Sequence, residues 1–161
     1  MPFPGIDVNK ADSAGLTVLM WAAQKSNVTV ELVKILLAVP DIDVTARVAT
    51  GHNKGRTVLG FARRHEVVEM LQAAGAPPMT TEDEDGAGRD INYYGIDDDI
   101  DELKFLLELW KGNGKVLNWV DKYDRTGLHY AVSSQRLECV RLLAATPGRL
   151  IQLLFRSTDF N

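Results

Sequence analysis

The stretch PGIDVN, Pro4–Asn9, returns almost unchanged as PDIDVT, Pro40–Thr45, within the first third of the chain. The two aspartates of these phrases, Asp7 and Asp43, stand 36 residues apart. Self-similarity at a period of about 20 to 50 residues is typical of proteins built from stacked structural repeats. The duplicated phrase therefore predicts a repeat architecture, with further copies later in the chain.

The residues that follow each phrase also match one another. GLTVLMWAA follows the first phrase, GRTVLGFAR follows the second, and a third copy reads DKYDRTGLHYAV, Asp121–Val132. The hydroxyl of Thr17 or Thr126 can accept a hydrogen bond from a free amide in the first turn of a helix. The sequence therefore predicts that a helix begins just after each of these threonines.

A tight turn precedes each predicted first helix, and a second helix follows it. Asp12 or Asp121, with a glycine such as Gly15, suits a turn because Asp bonds local amides and Gly permits positive φ. Apolar residues at helical spacing then mark the second helices VELVKILL (30–37), EVVEML (66–71) and LECVRLL (137–143). The predicted unit is turn, helix, turn, helix.

These copies together resemble the ankyrin repeat family, whose signature runs roughly D-x-x-G-x-T-P-L-H-x-A-A, then V-x-x-L-L, then G-A-D-V-N. The resemblance covers about four-fifths of the chain. It implies an all-α fold, an ankyrin-type helix-turn-helix solenoid of about four repeats with short hairpin loops, arranged in two blocks. One copy, at Tyr93–Trp110, is degenerate because its hairpin and its T-P-L-H equivalent are missing.

The predicted domains follow from the spacing of the copies. Residues 1–78 form a first block of two repeats, and residues 79–92 form a solvated acidic linker. Residues 93–161 form a second block with the degenerate repeat, one clear repeat and an incomplete terminal repeat. The closing letters TDFN, Thr158–Asn161, resemble IDVN, so we expect a fragment of a longer protein, and an abrupt natural end stays open as the alternative.

Composition narrows the classes of function. A net charge of −4 and a pI near 5.3 argue against nucleic acid as a partner, because such binding needs many cations against phosphates. The single cysteine, Cys139, excludes an internal disulfide. No run approaches the roughly 18 apolar residues of a membrane span. We expect a soluble intracellular protein, cytoplasmic by default, with an organelle left open.

Two motifs of chemical interest are incomplete. GHNKGRT, Gly51–Thr57, has too few residues between its glycines for a phosphate loop. TEDEDGAGRDIN, Thr81–Asn92, lacks the acids that a calcium loop needs at its first and last positions. No nucleophile–base or paired-carboxylate arrangement can be recognised. We therefore predict no catalytic residues, no cofactor and no metal, and that the chain is not an enzyme.

Several side chains have expected structural roles. Leu36 and Leu142 are predicted to be buried leucines of the second helices. Trp21, Phe61 and Tyr130 share one repeat position and are expected to pack between helices. Two further residues, His129 and Cys139, are expected to tie one repeat turn to the next and to fill the core, respectively.

The family resemblance implies a partner surface along the hairpin tips and the exposed end of each first helix. The predicted partner-binding residues are Ser13, Lys25, Asn53, Lys54, Arg56, Arg64, Lys122, Tyr123, Arg125 and Ser133, and Ala14, Leu16, Gln24 and Ser134 share these positions. Six of the fourteen are Lys or Arg and none is acidic, whereas ten of the 22 acidic residues lie within residues 82–102.

This charge division predicts a basic groove that binds another protein through an acidic or extended segment, as part of a complex. The acidic stretch then either competes for that groove or offers a second docking site, and two ordinary solvated surfaces are the plain alternative. The predicted function is a non-catalytic protein–protein interaction module, a scaffold or an accessory subunit. The alternative is a regulatory or substrate-recruiting ankyrin region of a larger enzyme.

Overall fold

The computed structural model describes residues 5–25, 30–95 and 99–146. Within these ranges the regular structure is helical, with one isolated antiparallel bridge between Arg47 and Thr57. The predicted all-α fold is thus confirmed for the described part of the chain. The chain divides into two compact units, Met1–Gly86 and Ala87–Asn161. The incomplete terminal repeat predicted at the end of the second block lies outside the described residues.

Unit 1 contains two helix pairs. Helix α1 (Val18–Gln24) packs against α2 (Val30–Leu37), and α3 (Val58–Phe61) packs against α4 (His65–Ala73). Across the pairs, α1 contacts α3 and α2 contacts α4. The core between them is made of Leu19, Met20, Ala22, Ala23, Val33, Val58, Leu59, Phe61, Val67 and Leu71.

The two copies of the duplicated phrase lie side by side in unit 1 and are joined by one side chain. The side-chain oxygen of Asn9 accepts a hydrogen bond from the Asp43 backbone amide at 2.8 Å, and the side-chain NH₂ group of Asn9 donates to the Asp41 backbone carbonyl at 2.7 Å. Asp7 and Asp43 each accept a hydrogen bond from the backbone amide two residues later. The repeated letters therefore build two similar turns that bond to each other.

Helix α5 (Thr81–Tyr94) covers most of the segment for which the sequence predicted a solvated linker. At the start of this helix lies Asp83, which is fully buried. Its carboxylate accepts from the Thr57 amide and hydroxyl and from the Thr80 amide, each at 2.9 Å. A buried carboxylate needs such donors, and here they fix the first turn of α5 onto the start of α3.

Unit 2 contains the rest of α5, followed by α6 (Ile100–Leu109), α7 (Gly114–Leu117), α8 (Gly127–Ser133) and α9 (Leu137–Ala145). Helix α9 contacts both α8 and α6. Helix α6 lies where the degenerate copy was predicted to have its second helix. The core of unit 2 consists of Ala87, Ile91, Leu103, Leu106, Leu107, Val116, Leu117, Ala131, Cys139 and Leu143.

The predicted burial of two leucines in the second helices was wrong. Leu36 and Leu142 are only half-buried, whereas Val33 and Leu143 are fully buried. Leu142 lines a groove of about 640 Å³ between α6 and α9. In α2 and α9 a single narrow stripe faces the core, so neighbouring leucines lie at its edge. Cys139 is buried as predicted.

Candidate partner-binding hairpins

The first hairpin tip, residues 12–16, is closed by one aspartate. One oxygen of the Asp12 carboxylate accepts from the amides of Ala14 and Leu16 at 2.8 and 2.9 Å. The Asp12 amide donates to the Leu16 carbonyl, and Gly15 adopts a positive φ of 81°. A methyl group on Gly15 would also stand 3.0 Å from a Val48 methyl, so glycine suits this corner in both respects.

The third hairpin tip, residues 121–125, repeats this arrangement in unit 2. One Asp121 oxygen accepts from the Tyr123 and Arg125 amides at 2.8 and 3.0 Å. The Asp121 amide donates to the Arg125 carbonyl, and Asp124 takes the left-handed position with φ of 58°. The two tips therefore share a backbone frame closed by the same residue type.

An aromatic side chain of the following helix closes each frame. The Trp21 indole nitrogen donates to Asp12 at 2.6 Å, and the Tyr130 hydroxyl donates to Asp121 at 2.6 Å. Trp21 is 42% exposed and Tyr130 half-buried, whereas Phe61 at the same repeat position is fully buried. The prediction that all three aromatics pack between helices was therefore wrong for the two that carry a polar atom.

Hydrogen bonds set the charge state of both aspartates. The pKa of Asp12 lies below its usual value, first because of the Leu16 amide and then because of the Trp21 indole. Burial raises the pKa of Asp121, but the side chains of Arg125 and Tyr130 outweigh it and hold that pKa well below its usual value. The same contact with Asp121 raises the pKa of the Tyr130 hydroxyl.

Arg125 is held between two aromatic rings at the third tip. Its guanidinium carbon stands 4.7 Å from the ring centres of both Tyr123 and Tyr130. The guanidinium also donates to the Asp121 carboxylate at 2.8 and 3.0 Å. Lys122 covers the Tyr123 ring at 4.9 Å. Three predicted residues, Lys122, Tyr123 and Arg125, are thus brought together on one exposed tip.

The second hairpin differs because it is longer. The Val48 amide donates to the Arg56 carbonyl at 3.0 Å, and the Gly55 amide donates to the Val48 carbonyl at 2.8 Å. Between these bonds the chain turns through residues 49–54. We call Arg47–Thr57 the basic hairpin, because Arg47, His52 and Lys54 are exposed on it and it contains no acid.

The prediction that Arg56 lies on the partner-binding surface was wrong. It is only 2% exposed, and its guanidinium stacks on the Phe61 ring at 4.4 Å. It donates to the Gly60 carbonyl and to the Asn53 side chain. A methyl group on Gly86 would collide with it. Arg56 therefore belongs to the core of unit 1, as does Leu16 at the corresponding position of the first tip.

The other predicted residues occupy different surroundings. Ser13, Lys25, Lys54, Lys122, Tyr123, Arg125 and Ser133 are exposed, and Asn53 and Arg64 are half-buried. Arg64 lies 3.5 Å from the Glu66 carboxylate, and Lys25 lies 5.3 Å from the Trp21 ring centre. The Ser133 hydroxyl donates to the Tyr130 carbonyl. The surface prediction missed Trp21 and Tyr130, although their spacing of nine residues from an aspartate is visible in both copies.

His129 acts within its own repeat. The Thr126 amide donates to its Nδ1 at 3.1 Å, which closes the first turn of α8. The described hydrogen bonds of this imidazole thus differ from the expected tie to the next repeat.

Among residues 5–25, 30–95 and 99–146, no group of three His, Cys, Asp or Glu side chains could hold a metal ion. None of the helices described there is long and apolar enough to cross a membrane.

Comparison with known families gave a match within unit 1. Residues 14–47 match the model of the ankyrin repeat, a segment that holds α1, α2 and the start of the basic hairpin. The match confirms the resemblance drawn from the sequence. Ankyrin repeats are in general protein–protein interaction modules. No curated protein matches the chain.

Proposed function

We propose that this chain, which carries an ankyrin repeat at residues 14–47, is a non-catalytic protein–protein interaction module. It serves as a scaffold or an accessory subunit of a larger assembly and binds through its hairpin tips. Its partner is another protein, and the two units offer separate contact points.

The observation that carries this proposal is a constant frame with variable exposed residues. The Asp12 and Asp121 turns have the same hydrogen bonds, yet Ser13 and Ala14 project from one and Lys122 and Tyr123 from the other. The hydrogen bonds that close these turns join backbone amides to the aspartate carboxylates and do not involve the side chains at the next two positions. The side chains at the tip are not needed to close the turn and are therefore available for recognition.

The third tip has the composition of an interface anchor. Tyr123 is 62% exposed and lies against Arg125, which Asp121 and two rings already hold in one conformation. Tyr and Arg are enriched among the residues that contribute most to binding. A side chain ordered before binding loses less entropy when the partner arrives. We therefore place the main contact of unit 2 at Tyr123 and Arg125.

Affinity purification with two matched tyrosine variants tests the proposal. We expect Tyr123→Ala to lose the co-purifying partner, with an affinity at least about 30-fold lower, as for a hot-spot residue. Tyr93 is 59% exposed in the same unit but lies outside the hairpins, so Tyr93→Ala should retain the partner. Equal recovery with both variants, or the absence of any partner specific to the parent chain, would contradict the proposal.

A further inference from the structure

We infer that the basic hairpin, Arg47–Thr57, is a docking site for an acidic peptide segment, and that Glu82 of helix α5 occupies part of this site in the unbound protein. The inference rests on the proposed function and adds the chemistry of a partner and an internal competitor. Both sides of the contact belong to unit 1.

The charge of this region differs sharply from that of the whole chain. Residues 44–65 contain five Lys or Arg residues and no acid, although the net charge of the chain is −4. Arg56 and Arg63 of this set are buried. Arg47 and Lys54 are exposed, as is His52 at the turn. The basic hairpin is longer than the other two tips, and its additional residues carry exposed cations.

Glu82 shows where a carboxylate fits on this hairpin. Its side chain crosses Gly55 so closely that a methyl group there would stand 2.6 Å from the Glu82 Cγ and 3.2 Å from its Cδ. Arg47 reaches the same glycine, because its guanidinium donates to the Gly55 carbonyl at 3.3 Å. The Glu82 carboxyl and the Arg47 guanidinium thus approach the same residue from different elements.

The Glu82 carboxylate is favoured in its charged form. Its pKa lies below the usual value, mainly because of its own backbone amide, then the hydroxyls of Thr80 and Thr81, with a smaller contribution from Arg47. Thr81 donates to it at 3.2 Å. On the hairpin side Arg47 adds to this effect, so a cation of the hairpin already favours a carboxylate at this place.

The backbone that carries Glu82 is anchored independently of this contact. Its neighbour Asp83 is buried and takes donors from Thr57 and Thr80. Glu82 itself is exposed and can change rotamer without disturbing that network. A carboxylate from a partner can therefore replace Glu82 beside Arg47 while α5 stays in place, and the exposed Lys54 of the same hairpin adds a second cation for the partner segment.

A protein segment fits this site better than nucleic acid does. Strong binding to nucleic acid requires many phosphate contacts, and the exposed cations here are few. The acidic first turn of α5, with Glu82, Asp83 and Glu84, would repel a long polyanion. A short acidic peptide needs only the local cations and the space that Glu82 now fills.

Fluorescence anisotropy of a labelled oligo-glutamate peptide on the full chain tests both parts. We expect saturable binding to the parent, at least about tenfold weaker binding to Lys54→Glu, and no change for Lys34→Glu, the same charge reversal on α2. Removing the competitor with Glu82→Gln should strengthen binding about two- to fivefold, as for an exposed ion pair. Glu31→Gln is the matched control, because Glu31 is exposed and pairs with Lys34.

Three outcomes would overturn the inference. Equal affinity of the parent and Glu82→Gln for the peptide would show that Glu82 does not compete for the site. Equal affinity of Lys54→Glu and Lys34→Glu would show that the basic hairpin is not the site. Tighter binding of a single-stranded DNA oligonucleotide of equal charge would point to a general polyanion surface. None of these results depends on Tyr123 in unit 2, so failure here is distinguishable from failure of the proposed function.

Discussion

The Tyr130 hydroxyl donates a 2.6 Å hydrogen bond to the Asp121 carboxylate, nine residues earlier in the chain. The pair Trp21 and Asp12 has the same spacing and the same distance in unit 1. In both cases the first helix of a repeat reaches back to the turn from which it starts. The orientation of the hairpin tip is thereby fixed relative to its own helix.

The pH dependence of stability should reveal the contribution of Asp121. Its folded-state pKa is depressed below the ordinary value of 3.8, so its stabilising effect is present above about pH 4 and is lost as the pH falls further. We expect Asp121→Asn to lower the melting temperature at neutral pH. The difference from the parent should shrink as the pH is lowered below about 4.

A difference in melting temperature that stays constant from neutral pH down to strongly acidic conditions would contradict this assignment. Glu108→Gln is a suitable control, because Glu108 is exposed and pairs with Lys111 on the surface. Its effect should be small at every pH.

The buried carboxylate of Asp83 gives a second prediction. Asn at this position keeps the shape but turns an NH₂ group toward donors from Thr57 and Thr80. We expect Asp83→Asn to lower the free energy of unfolding by about 1–3 kcal/mol, because buried donors lose their acceptor. Urea denaturation measures this, with the exposed Glu69→Gln of α4 as the control; a loss no larger than the control's would refute it.

The close approach of Gly60 to Asp83 gives a third prediction. A methyl group on Gly60 would collide with the Asp83 carboxylate, so Gly60→Ala must displace either α3 or the first turn of α5. We expect a loss of about 1–3 kcal/mol, as for overpacked cores. At Gly114 the nearest atom to such a methyl is 3.9 Å away, and Gly114→Ala should leave stability unchanged or raise it slightly.

Two leucines of α9 give a fourth prediction. Leu143 is fully buried, whereas Leu137 is 71% exposed. We expect Leu143→Ala to cost about 2–5 kcal/mol and Leu137→Ala less than about 0.5 kcal/mol. Thermal and urea unfolding of the two variants provide the comparison, and similar losses for both would show that the α9 register is incorrect.

The repeated sequence motifs predicted most of the helices, whereas the remaining structure depends on contacts between residues far apart in the sequence. IDV, the threonines before each first helix and the apolar spacing of the second helices predicted α1, α2, α4, α8 and α9. Helix α5 could not be read in this way, because its acidic composition is that of a solvated segment. Its first turn is held against the start of α3 by the pairing of Asp83 with Thr57, which stand 26 residues apart.

The candidate site was predictable by position but not by burial. Leu16, Arg56 and Arg125 hold the same place in three copies, yet the first two are buried and the third is exposed. The difference depends on neighbours that one copy alone does not reveal. Phe61 and Gly86 provide space for one guanidinium, and Tyr123 and Tyr130 provide an outer surface for the other.

The aspartate-closed turns have a consequence for protein engineering. Because the hydrogen bonds that close residues 12–16 and 121–125 use backbone amides and the two aspartates, and not the side chains of Ser13, Ala14, Lys122 or Tyr123, these four side chains can be randomised in a library, proline apart, while the scaffold keeps its fold. Selection against a chosen target would then act on recognition alone.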